Sequence, residues 1–139
     1  MATLRSRPEL APIAFDQLLV VFLGGCVGAL GRATLAGALP WTGGWPWATF
    51  TANLIGAALL AWIAVHLGAR RPEPRVLQSF LCTGLCGALT TFSALQVEVI
   101  ELAREGAVTL AASYLVVSVT LGIGVVAIVT QAARRRVLG

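Results

Sequence analysis

Hydrophobic residues run along this chain in four long blocks and do not alternate with polar ones. A helix that crosses a bilayer needs about 20 mostly apolar residues. Stretches of that kind cover residues 18–39, 47–67, 76–97 and 107–133, the first interrupted by Arg32. The links are short: 40–46 (PWTGGWP), 68–75 (GARRPEPR) and a polar stretch around 98–106. The blocks are too long for strands and lack a period of two, which argues against a sheet or barrel. The pattern predicts an all-α membrane protein with four transmembrane helices. Residues 18–133 form the membrane domain, 1–17 a polar N-terminal tail and 134–139 a basic C-terminal tail.

Composition agrees. Of 139 residues, 58% are hydrophobic and 12% charged, with a mean hydropathy of +0.86. Soluble domains carry about 25% charged residues. The length suits one domain and excludes a multi-domain enzyme. All ten basic residues are arginines. With a cytoplasmic N-terminus, Arg5, Arg7, Arg70, Arg71, Arg75, Arg134, Arg135 and Arg136 share one side, and Arg104 stands alone on the other. That asymmetry reads as an orientation signal with both termini inside, not as a nucleic-acid footprint. An Arg-flanked first block ending in Ala36-Gly37-Ala38 imitates a signal peptide, but Arg32 breaks the apolar run ahead of that site.

Chemistry-bearing residues are few. Cys82 and Cys86 stand four apart in the third block and Cys26 is alone in the first. Without further nitrogen or sulfur ligands nearby they read as small packing residues. His66 closes the second block, a helix-end position. No nucleophile elbow, phosphate loop, zinc helix or carboxylate pair is present, so the sequence does not read as an enzyme.

Polar residues inside apolar spans are informative because each needs a partner or a wet path. Gly24, Gly28 and Arg32 lie four apart on one face. Small residues there allow close helix approach, and Arg32 is either a snorkelling side chain or a fixed positive charge at an anion vestibule. Thr49 and Asn53 share a face with Gly56; Asn53 offers N–H donors to an anion or joins helices. The run Thr83–Ser93 (TGLCGALTTFS) places glycines and hydroxyls in mid-span. It predicts a kinked or broken third helix, and a break frees carbonyls that can hold a monovalent cation. Tyr114 and Ser118 make a narrow polar stripe continued by Gly122, for helix packing or for a pore. No Asp, Glu or Lys lies deep in a span, and Glu98 is placed near the membrane edge. A passive anion pore therefore fits better than a pump.

Three stretches carry a resemblance: GGCVGALGR at 24–32, PWATFTANLIG at 46–56 and GLCGALTTFS at 84–93, followed by Glu98, with Tyr114 and Ser118 on the fourth span. Together they resemble the CrcB/Fluc family of fluoride channels. The resemblance implies an antiparallel dual-topology dimer in a bacterial inner membrane, with fluoride pores along the subunit interface. It implies a structural sodium ion held by the backbone carbonyls of Gly87 and Thr90 at a broken third helix. Pore residues carry over to Asn53, Phe92, Tyr114 and Ser118, with Arg32 at the vestibule and Thr49 and Glu98 as secondary candidates. The implied role is passive export of cytoplasmic fluoride, relieving its toxicity. Two departures stand out. The family's second pore phenylalanine is Leu95 here, and the arginine asymmetry predicts one orientation. The partner is then a second copy, or a related chain of inverted bias. Rival readings are a non-conducting subunit of a heteromeric complex and a small multidrug-type exporter. The exporter needs a carboxylate inside the first span, and Asp16 precedes that span.

Overall fold

The computed structural model describes residues 15–69 and 75–138. Arg5, Arg7, Arg70 and Arg71, and with them most of the N-terminal tail and the 68–75 link, lie outside the described residues. Among the described residues, four helical spans are long and apolar enough to cross a membrane: Phe15–Ala38, Trp47–Leu67, Val76–Arg104 and Val108–Val137. The first is α1 (Phe15–Ala38) and the second lies in α2 (Trp47–Ala69). The third is composite. A short α3 (Arg75–Gln78) runs into a π-helical stretch (Ser79–Cys86), then α4 (Gly87–Leu89) and α5 (Phe92–Arg104). The fourth is α6 (Val108–Leu138), and Arg134–Arg136 lie in its last turns.

The third span bends at a join between its helical parts and runs longer than its apolar block. Thr90 (φ −86°, ψ 150°) and Thr91 (φ −149°, ψ 119°) are extended, so the helical parts join through two non-helical residues. Its C-terminal end also runs past residue 97 to Arg104. The polar residues Glu98 and Glu101 had suggested a link there. They sit instead within α5, and the turn to α6 shrinks to a few residues around Gly106. That turn is a Schellman motif: Ala107 N–H donates to Leu102 O at 2.9 Å and Gly106 N–H to Ala103 O at 3.1 Å. Gly106 takes φ +84°, a left-handed conformation that glycine adopts without a Cβ clash.

Helix α1 packs along the π-helical stretch and α4, while α2 and α5 both pack on α6. The α1 contact explains the glycine stripe. A Cβ on Gly24 would strike the carbonyl oxygen of Phe80, and one on Gly28 that of Leu85. From the other side, a Cβ on Gly84 would lie 2.6 Å from Val21 O and 2.9 Å from the Gly24 Cα. These helices touch backbone to backbone, which only glycine permits. A second core gathers where α5 meets α6. Leu95, Leu102, Ala111 and Tyr114 are buried there, with Trp41, Trp45 and Phe50 packed against them. The Trp45 ring meets Tyr114 edge-on at 5.2 Å and Phe50 edge-on at 5.5 Å, the geometry that ring quadrupoles favour.

Candidate functional site: a braced join and an open groove

The polar residues singled out in the sequence fall into two clusters and one outlier. The first surrounds the join in the third span. Helix α2 presents Asn53 to it, one turn beyond Thr49 and ahead of Gly56 on the same face. Asn53 Nδ2 donates to Thr91 O at 3.0 Å, and Thr91 N–H donates to Asn53 Oδ1 at 2.8 Å. Both functional atoms of the amide thus grip one peptide residue. Thr91 also caps α5, its Oγ1 accepting from Ala94 N–H at 3.1 Å and lying 3.2 Å from Ser93 Oγ. Thr90 turns back: its N–H and its hydroxyl both donate to Cys86 O at 3.0 Å. Its Cγ2 rests on Gly56, leaving no room for a Cβ there.

Beside this join runs an open groove of about 1060 Å³. Asn53, Gly87, Thr90, Phe92 and Ser118 line it, with Leu95 and Gly122 among its apolar walls. Phe92 is 65% exposed. The Ser118 hydroxyl oxygen is buried and has no hydrogen-bond partner. The groove therefore combines a mostly apolar wall, an exposed aromatic ring and, within its lining, one buried hydroxyl without a partner.

The second cluster lies in the interior. Thr49, 8% exposed, donates through its hydroxyl to Glu98 Oε1 at 2.5 Å, and the fully buried Tyr114 donates to Glu98 Oε2 at 2.7 Å. Glu98 is part of the third span, and its two oxygens are held by donors from α2 and α6. A carboxylate among apolar helices requires such donors. Thr49 and Tyr114 do not line the groove. Arg32 is the outlier: it is exposed, and its Nε donates to Ala88 O at 3.2 Å, tying α1 to the last turn before the join.

Residues 19–130 match the family described as "CrcB-like protein, Camphor Resistance (CrcB)". The chain belongs to the CrcB family. It is 46% identical over 122 residues to "Fluoride-specific ion channel FluC 1" of Mycobacterium tuberculosis, covering 87% of this chain and 92% of that protein. It is 43% identical over 115 residues to "Fluoride-specific ion channel FluC" of Methylobacillus flagellatus, covering 77% and 86%. The corresponding protein of Xanthomonas euvesicatoria pv. vesicatoria is 36% identical over 118 residues, covering 84% and 89%.

Membership of this family and four apolar spans make the chain a multi-pass membrane protein, and the family is one of ion channels, not enzymes. Within that frame, Leu95 takes on a structural sense. It is 4% exposed and packs with Leu102, Ala111 and Tyr114 in the α5–α6 core, so a branched aliphatic fills space between helices. Thr91 was not among the sequence candidates. Its signal is a hydroxyl residue directly ahead of an apolar helical run, the mark of an N-cap. Trp45 was also missed. Its indole nitrogen is buried without a partner, and no motif in the loop marks it.

Proposed function

We propose that this chain is a subunit of a fluoride-specific channel through which cytoplasmic fluoride leaves the cell passively. The observation that carries the reading is the alignment of proteins named as fluoride-specific ion channels along 87% of the chain at 46% identity. The groove chemistry supports it. Stripping water from a small anion is costly unless donors replace the water. The unpartnered Ser118 hydroxyl, the second N–H of the Asn53 amide and the positive edge of the Phe92 ring can do so. None of them is a fixed positive charge that would trap the ion. Arg32 adds positive charge near the α1–α4 contact. Thr49 and Tyr114, held by Glu98, form the wall behind this path.

A second subunit, inverted in the membrane, completes the pore by covering the groove. It is either another copy or a related chain of opposite orientation. The structural sodium fits the residues at the join. Gly87 and Thr90 border the groove, and the N–H groups that would bond their carbonyls in a regular helix, those of Thr91 and Ala94, go to side chains instead; unwound backbone carbonyls suit Na⁺. The ion would supply positive charge that fixes the two joins against each other.

Fluoride-electrode efflux from liposomes tests the proposal, with chloride as comparator and the chain reconstituted alone and with a partner. Fluoride efflux without chloride efflux is expected. Ser118→Ala removes a hydroxyl that has no partner, so thermal stability should hold while fluoride flux falls about tenfold, the worth of one hydrogen bond to a charged group. Absence of fluoride efflux under both conditions would overturn the reading.

A further inference from the structure

In an unbroken α-helix, Thr91 N–H would donate to Gly87 O and Ala94 N–H to Thr90 O. Here both donors are diverted by side chains. Thr91 N–H goes to Asn53 Oδ1 and Ala94 N–H to Thr91 Oγ1. Neighbouring carbonyls are satisfied by other means: Cys86 O by Thr90, Ala88 O by Arg32 Nε and Thr91 O by Asn53 Nδ2. The Gly87 and Thr90 oxygens therefore lose the donors that a regular helix would give them. Both residues border the groove. A carbonyl that loses its helical donor needs another partner, and two such residues on one groove suit a ligand that accepts electron pairs.

We propose that Asn53 and Thr91 are positioning residues for the cation site. Their side chains capture the two N–H groups that would otherwise close the helix over the Gly87 and Thr90 oxygens. Asn53 acts on Gly87 by holding Thr91 N–H, and Thr91 acts on Thr90 by holding Ala94 N–H. The bond from Asn53 Nδ2 to Thr91 O keeps the join extended, so the two captures reinforce each other. This inference rests on the cation reading given above, and it assigns Asn53 a task separate from any contact with the conducted anion.

The test is thermal unfolding of the detergent-solubilised full-length chain, with sodium chloride titrated against N-methylglucamine chloride at constant ionic strength. Wild type is expected to gain stability with a defined sodium midpoint. Thr91→Val keeps the side-chain shape but lacks the acceptor for Ala94 N–H, and Asn53→Leu lacks both the acceptor for Thr91 N–H and the donor to Thr91 O. Each should move the midpoint up by about 10–100-fold, the usual cost of losing a group that orients metal ligands. Thr91→Ser restores the oxygen and should restore the midpoint. A merely structural residue would lower stability at every sodium concentration and leave the midpoint in place. A sodium-responsive wild type with either variant unmoved in midpoint overturns this proposal and leaves the cation reading intact. A wild type that does not respond to sodium overturns the cation reading itself. Because the two variants act on different carbonyls, either one that folds decides the matter.

Discussion

Glu98 shows how one residue organises several helices. It lies on α5, yet its two oxygens are taken by Thr49 of α2 and Tyr114 of α6. Removing either donor leaves an oxygen of this half-buried carboxylate without its protein partner. Tyr114→Phe and Thr49→Val are each expected to lower stability by about 1–3 kcal/mol, the penalty for an unpaired buried group. Since both act through one carboxylate, the double variant should depart from additivity by roughly 0.5–3 kcal/mol. Denaturant unfolding in mixed micelles measures both. Additive losses would mean that the two hydroxyls do not share Glu98.

At the scale of elements, the contact of α1 with the third span rests on the absence of side chains. Gly84 lies so close to α1 that a methyl group would sit 2.6 Å from a main-chain oxygen. Backbone cannot swing aside as a flexible side chain can, so the helices must separate along their length. Gly84→Ala should therefore destabilise the subunit by about 1–3 kcal/mol, in line with overpacking elsewhere. Gly25→Ala is the control, because nothing lies within 4 Å of a Cβ there. Equal effects at the two positions would show that helix propensity, and not the close approach, sets the cost.

At the scale of the whole molecule, the subunit keeps many large apolar side chains on its outside, among them Phe22, Phe92, Ile123 and Ile128. Lipid suits most of them, and an inverted partner is proposed for the face that carries the groove. Orientation then depends on arginine placement. The sequence places eight arginines on one side and one on the other, which predicts insertion with both termini inside. Reporter tags at the two termini should each register a single, cytoplasmic location when the chain is expressed alone. A mixed population, together with fluoride flux from the chain alone, would favour a dual-topology pair of identical copies.

Spans and membrane character were legible in the sequence because the need for unbroken apolar runs is local: each span declares itself within its own residues. The same holds for the glycine stripe of α1 and for the unusual composition around 84–93. Family membership was legible too, since the motif residues sit in fixed order along the chain. Tertiary structure alone decided the partners. Nothing local shows that Glu98 sits between two hydroxyls from other helices, that Tyr114 faces the interior and Ser118 the groove, or that Leu95 fills a core. Nor does spacing reveal that both atoms of the Asn53 amide hold Thr91. Those facts depend on how helices far apart in sequence are rotated and pressed together. That rotation follows from the summed packing of all the spans, to which no single segment holds the key.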